Sequence, residues 1–147
     1  MSADSAQRAI PFVKMNGLGN DFIIIDARSD EVRLQPDEIA RIADRAQGIG
    51  CDQLIVLEES ETADLFMRIH NADGGEVSAC GNAARCIAAL IFEETGAEKA
   101  VIETGAGRLR AWPSQSGGIS VDMGKPRFDW QDIPLAEEFR DTRAIEL

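Results

Sequence analysis

The sequence predicts an α+β fold in which strands surround one buried helix. Short β-branched and apolar segments recur along the chain, separated by turns rich in glycine and asparagine. An amphipathic helix pattern occurs near residues 36–48. A second helical segment, residues 83–92, is apolar nearly all round. Such a helix has no face suited to water, so other elements have to cover it.

The first half of the chain contains one predicted helix among several predicted strands. Proline and two acids at residues 36–38 favour a helix start, and apolar residues then follow at helical spacing until a stop near Gly48. The strands are short and apolar, and the last of them alternates between apolar and polar residues. They are predicted at residues 12–15, 22–26, 53–58 and 63–70.

The second half begins with the apolar helix, which follows Cys80 and ends near Gly96. Glycine-rich turns then separate further strands, predicted at residues 100–103, 108–112 and 119–123. These patterns divide the chain into a mobile N-terminal tail (1–10), one domain (11–123) and an acidic, weakly periodic segment (124–147). We interpret the last segment as a linker or the start of a second domain.

Composition excludes several classes of partner. The chain has 147 residues, with 15 Lys and Arg against 26 Asp and Glu, for a formal net charge of −11. An acidic surface repels phosphate backbones and anionic lipid, so neither nucleic acid nor a membrane is an expected partner. No apolar run approaches the roughly 18 residues that a membrane-spanning helix needs. The N-terminus also lacks an apolar signal segment, so we expect a cytoplasmic protein with reduced cysteines.

Cys80 is the first candidate for chemistry, because it stands where a turn meets a helix. The first amides of a helix have no intrahelical partner and, together with the helix dipole, attract anions. A thiolate at this position is therefore stabilised, and a substrate carboxylate can be held by the same N–H groups. Gly81 leaves that approach open because it has no side chain. The alternative is that Cys80 is a small buried hydrophobic residue.

The other cysteines and the single histidine are weaker candidates. Cys86 lies in the middle of the apolar helix and Cys51 follows two glycines, so both are expected in the core. His70 ends a strand, where it is either a general base or a hydrogen-bonded structural residue. No CxxC or HxxxH spacing links these residues, so no metal site is expected.

Three neutral amides, Asn20, Gln53 and Asn71, lie at strand ends or in turns. Taken singly, each fits a turn or cap residue as well as a ligand contact. The segment 17–21 (GLGND) has the glycines of half a phosphate loop. It precedes a strand, whereas a dinucleotide-binding loop precedes a helix, so it indicates a polar turn.

Three segments taken together resemble one family, diaminopimelate epimerase. They are KMNGLGNDF at residues 14–22, GIGCDQ at 48–53, and NADGGE at 71–76 running into CGNAARC at 80–86. Their order and spacing also fit, and the resemblance spans residues 12–126. It implies a fold of two similar domains, each with strands around a central helix, and an active site in the cleft between them.

The resemblance also implies a mechanism. These isomerases interconvert LL- and meso-diaminopimelate for lysine and peptidoglycan synthesis, without pyridoxal phosphate or another cofactor. Two cysteines, one per domain, face the α-carbon from opposite sides; one removes the proton as a thiolate, and the other returns one. Cys80 matches the cysteine of the first domain. The residues that match substrate contacts are Asn20, Gln53, Asn71, Gly81 and Asn82.

The chain departs from the family in its length. The second domain and its cysteine are missing, and neither Cys51 nor Cys86 stands where that cysteine belongs. We therefore expect an N-terminal half that does not epimerise at a useful rate alone. Family members often dimerise, so a homodimer is compatible with the resemblance. The alternatives are a related cofactor-independent racemase, a non-catalytic carboxylate-binding module and a remnant without function.

Overall fold

A computed structural model describes residues 9–145 of the chain. The helices are α1 (Pro36–Ala43) and α2 (Gly81–Thr95), and a short 3-10 turn spans Trp130–Asp132. The strands, in chain order, are β1 (Val13–Gly17), β2 (Asn20–Asp26), β3 (Gln53–Glu58), β4 (Leu65–Asn71), β5 (Glu76–Val77), β6 (Ala100–Thr104), β7 (Gly107–Pro113) and β8 (Ile119–Asp122).

All the strands predicted from the sequence are present, and β5 is an addition. It has two residues, which is too short to give a periodic pattern. The first helix ends at Ala43, five residues before the predicted stop at Gly48, so that boundary was wrong. The reason is Asp44, whose backbone is extended and whose carboxylate accepts hydrogen bonds from the N–H groups of Ala46 and Gln47. Aspartate here offers the backbone a turn in place of a further helical bond.

The sheet has eight strands and curls around α2. Its order is β1-β2-β3-β4-β6-β7-β8, with β5 paired to β4. Helix α2 contacts both β1 and β8, which are the two ends of that order. Both ends can reach the same helix only if the sheet curls, and no residue between 81 and 92 is exposed. The predicted α+β class, with strands around a central buried helix, is confirmed.

Side-chain alternation along β2 supplies two separate cores. Phe22 and Ile24 face α2, whereas Ile23 and Ile25 face α1 on the other side of the sheet. Because successive residues of a strand point to opposite faces, a strand covered on both faces is apolar without interruption. This explains the run of apolar residues that the sequence shows in β2.

The described residues extend beyond this core at both ends. Of the predicted tail, residues 1–8 lie outside the described residues, and residues 9–12 contain neither helix nor strand. Residues 124–145 contain the 3-10 turn and no other helix or strand. The domain boundaries therefore stay a prediction. Among the described residues, no helix is long and apolar enough to cross a membrane.

Candidate active site

The amides predicted to bind substrate meet at one edge of the sheet. Asn20 opens β2 and Gln53 opens β3, and these strands run parallel, so both residues lie at the same edge. Asn71 ends the antiparallel neighbour β4 directly opposite Gln53. The Nε2 group of Gln53 donates a hydrogen bond of 3.0 Å to Oδ1 of Asn71. Strand direction and register thus bring together amides that are up to 51 residues apart in sequence.

The first turn of α2 joins this edge through Asn82. Its Nδ2 group donates a hydrogen bond of 2.6 Å to Oδ1 of Asn20. Two further residues extend the contact: Arg85 donates to Oδ1 of Asn82, and Nδ2 of Asn20 donates to Oδ2 of Asp52 at 3.3 Å. Neither Arg85 nor Asp52 was predicted as a site residue. The signal that could have found them is their place inside the segments CGNAARC and GIGCDQ.

Cys80 is the N-cap of α2. Its backbone is extended, and the N–H of Ala83 points at its Sγ atom over 3.5 Å. The first turn of α2 holds no acidic residue, so no side-chain charge of its own offsets the positive end of the helix dipole. The half-buried sulfur therefore lies at the positive end of the helix dipole.

Gly81 leaves space beside this cap. A Cβ atom built on Gly81 would lie 3.5 Å from Sδ of Met123, which is an ordinary contact distance, and would meet no backbone. The glycine is therefore not required by local crowding. That the missing side chain keeps the first amides of α2 accessible to a substrate stays a prediction.

A charged cluster holds the starts of β2 and β3 together behind the amides. The backbone N–H of Asp21 donates to Oδ2 of Asp52, and the N–H of Asp52 donates back to Oδ1 of Asp21, each at 3.0 Å. Arg45 bridges both carboxylates at 2.7 and 2.9 Å, and Nζ of Lys14 lies 3.3 Å from Asp21. The Arg45 guanidinium, helped by the Asp52 N–H and Lys14, holds the pKa of the Asp21 carboxyl well below its usual range although burial opposes this.

Comparison with known proteins identifies the family. The family model described as diaminopimelate epimerase matches residues 12–129. This chain belongs to the diaminopimelate epimerase family. It is 51% identical over 143 residues to the diaminopimelate epimerase of Phenylobacterium zucineum (strain HLK1), which covers 97% of this chain and 51% of that protein. It is 58% identical over 132 residues to that of Sphingopyxis alaskensis (strain DSM 13593 / LMG 18877 / RB2256), covering 90% and 47%.

Solved structures support the same fold. A methylitaconate-delta-isomerase superposes with a TM-score of 0.57 at 20% identity, over 82% of this chain and 66% of its own. A predicted epimerase from Pseudomonas aeruginosa gives a TM-score of 0.56 at 17% identity, over 79% and 43%. At such identities the likeness concerns the fold alone. The chain spans about half the length of the curated relatives it matches.

In this member of the diaminopimelate epimerase family, the remaining cysteines are core residues, as predicted. Cys51 is 2% exposed and Cys86 is 5% exposed, and burial raises the pKa of both thiols. A buried thiol that resists ionisation is a poor proton acceptor. Cys80 is therefore the one cysteine of the three that combines partial exposure with a helix N-terminus.

His70 lies away from the amides. It belongs to β4 next to Asn71, and successive residues of a strand point to opposite faces, so His70 faces away from α2. Burial lowers the pKa of its imidazole, and Nδ1 is buried without a hydrogen-bond partner among the described residues. The structure does not bring His70 to Cys80. Within residues 9–145, no group of three or more His, Cys, Asp or Glu side chains is arranged to hold a metal ion.

Proposed function

We propose that this chain forms the N-terminal half of a diaminopimelate epimerase site, in which Cys80 exchanges the α-proton of diaminopimelate. The observation that carries the proposal is the position of Cys80, at the open N-terminus of α2 in a member of this family. The reaction is cofactor-independent and takes place in the cytoplasm, where thiols stay reduced.

The chemistry follows from the weak acidity of an amino-acid α-proton. The Cys80 thiolate removes the proton, so the S–H bond forms as the Cα–H bond breaks and the electron pair moves toward the substrate carboxylate. Donors already in place stabilise this developing charge without rearrangement. The first-turn N–H groups of Gly81 and Asn82 at the start of α2 supply them. A thiol is suited to act as base in one direction and as acid in the other.

The amides at the sheet edge fix the substrate around this sulfur. An amino acid is a zwitterion whose ammonium group donates hydrogen bonds and whose carboxylates accept them. Primary amides offer both donors and acceptors without adding net charge. Asn20, Gln53, Asn71 and Asn82 are therefore proposed as substrate contacts of this domain.

Inversion requires a second acid on the opposite face of the α-carbon. Cys51 and Cys86 are buried in the two cores, so neither is available for that role. We therefore propose that the 147-residue chain exchanges the α-proton with retention of configuration but does not epimerise at a useful rate.

Solvent exchange tests this function. The purified chain is incubated with meso- and LL-diaminopimelate in deuterated water, and loss of the α-proton signal is followed by NMR. The expected result is exchange without inversion that Cys80→Ala abolishes. Cys51→Ala is the matched control, since it removes a buried thiol, and it should retain exchange. Absence of exchange in the unmodified chain, or equal exchange in Cys80→Ala, would contradict the proposal.

A further inference from the structure

We propose that Arg85 and Asp52 are positioning residues that fix the direction in which the Asn82 and Asn20 amides point. The inference rests on the proposed function only in assigning those amides to substrate. Neither residue needs to contact the substrate. They act through the two asparagines that lie between them.

The four side chains form one continuous series of hydrogen bonds. Arg85 donates to Oδ1 of Asn82, and Nδ2 of Asn82 donates to Oδ1 of Asn20 at 2.6 Å. Nδ2 of Asn20 then donates to Oδ2 of Asp52 at 3.3 Å. Every bond runs in the same sense, from the guanidinium to the carboxylate. We call this set the amide relay.

The charged ends of the amide relay are what give it a direction. An asparagine amide has nearly the same shape when its oxygen and nitrogen are exchanged, so packing alone does not orient it. A guanidinium only donates and an ionised carboxylate only accepts. Turning Asn82 over would point its NH₂ group at Arg85, and turning Asn20 over would point its oxygen at Asp52. Either change leaves like groups facing each other.

The surroundings strengthen this constraint. Asn20, Asn82 and Arg85 are half-buried, and hydrogen bonds are stronger where water is partly excluded. Asp52 is itself held by the N–H of Asp21 and by Arg45. The acceptor end of the relay is therefore anchored to the backbone of β2.

A fixed direction decides what the site offers to a ligand. Each asparagine uses one N–H and one oxygen lone pair within the relay. Its second N–H and its second lone pair remain available to a ligand. Their placement follows from the orientation of the amide. Loss of the directing charge allows both orientations, and a fraction of molecules then presents oxygen where the ligand needs an N–H.

NMR of the side-chain amides tests the relay directly in the full 147-residue chain. The variants are Arg85→Met, which removes the donor, and Arg85→Gln, which keeps a donor without the charge. Arg41→Met is the matched control, since it removes a cation from an exposed position on α1. We expect Arg85→Met to shift the Asn20 NH₂ signals, although Arg85 bonds Asn82 and not Asn20, and Arg85→Gln to return them toward their original positions.

Ligand affinity is measured in the same samples by calorimetry with meso-diaminopimelate. We expect Arg85→Met to weaken binding about tenfold, as for one lost charge-assisted hydrogen bond, with Arg85→Gln between it and the unmodified chain. Unchanged Asn20 signals in a folded Arg85→Met variant would overturn the relay. Shifted signals with unchanged affinity would overturn its role toward ligand.

Failure of the proposed function has a different signature. In that case the unmodified chain neither binds meso-diaminopimelate nor exchanges its α-proton, whereas the shift of the Asn20 signals in Arg85→Met is still observed. If Arg85→Met does not fold, Arg85→Gln decides the question, because loss of the charge alone should still move the Asn20 signals part of the way.

Discussion

The two helices of this domain begin in opposite ways. Helix α1 carries Asp37 and Glu38 in its first turn, and the Glu38 carboxylate accepts a hydrogen bond of 2.8 Å from the backbone N–H of Gln35. Helix α2 has no acid in its first turn, and its cap is the Cys80 sulfur, 3.5 Å from the N–H of Ala83. The positive end of α1 is therefore neutralised by its own side chains, and that of α2 is not.

The difference separates a helix start that serves stability from one that we propose is left for an anion. Acids in the first turn and a good cap together stabilise a helix by roughly 1 kcal/mol. Helix α2 forgoes this contribution, and the burial of six of its side chains in the larger core compensates. A helix held by packing does not need its own cap, so the N-terminus is free for another use.

The largest expected effect concerns the space at each helix start. Gly74 has φ +86°, and a Cβ there would lie 2.3 Å from the carbonyl oxygen of Pro36, the first residue of α1. We expect Gly74→Ala to lower the free energy of unfolding by about 3 kcal/mol, from strain and overlap together. Gly96→Ala is the control, since φ there is +69° with nothing near its Cβ. If urea unfolding gave the same loss of unfolding free energy for Gly74→Ala and Gly96→Ala, crowding between Gly74 and the start of α1 would be contradicted.

A charge placed at the open helix tests its electrostatics. Asn82→Asp gives α2 the acidic first turn that α1 already has. We expect the rate of Cys80 alkylation by the anion iodoacetate, relative to neutral iodoacetamide, to fall about tenfold, because an added carboxylate repels the anion. The thermal midpoint should fall, because the new carboxylate has no N–H to donate to Oδ1 of Asn20, and this loss outweighs the gain from a charge that suits the helix dipole. An unchanged ratio of the two rates would show that the open start does not attract anions.

A methyl group at the start of α2 tests whether a ligand reaches the first N–H groups of this helix. Gly81→Ala should leave the urea midpoint nearly unchanged, since the new Cβ makes only an ordinary contact with Met123. Binding of meso-diaminopimelate, measured by calorimetry, should weaken by roughly fivefold to tenfold, because the methyl group covers the approach to the first amides. If Gly81→Ala lost as much stability as Gly74→Ala, Gly81 would be required by packing, and its proposed role in ligand access would be contradicted.

The smallest effect is expected at the cap of α1. Glu38→Gln removes the charge that accepts from Gln35, at a cost of about 0.5–1 kcal/mol in urea unfolding. Alkylation of Cys80 should not change, because α1 packs on the opposite side of the sheet. A slower alkylation rate in this variant would mean that the two helix starts are coupled.

The sequence predicts the elements whose pattern is repeated over many residues. The apolar run of α2 indicates its central position and the burial of Cys86, and the general tendency of free cysteines to be buried indicates the burial of Cys51. A side chain that competes for backbone N–H groups is harder to predict. The predicted end of α1 near Gly48 was therefore wrong, because the Asp44 carboxylate ends the helix after Ala43.

The amide relay depends on register between distant strands and on a helix docked beside them. In the sequence, nothing distinguishes Arg85 and Asp52 from the other charged residues. Only the fold connects them, through Asn82 and Asn20. The assignment of Cys80 and the site amides to a role stays a prediction until exchange is measured.

The contact of α2 with both β1 and β8 has a consequence for the order of assembly. These strands come from opposite ends of the domain, and a core that joins them depends on contacts distant in sequence. Chains dominated by such contacts fold slowly, because the loop entropy is lost before the contacts form. The surroundings of Cys80 include β1, through Gly17 beside Asn82, and the residue that follows β8, Met123, beside Gly81. We therefore expect the site to reach its final form late in folding, and a nascent chain that stops before β8 has the motifs but lacks the last strand that packs against α2.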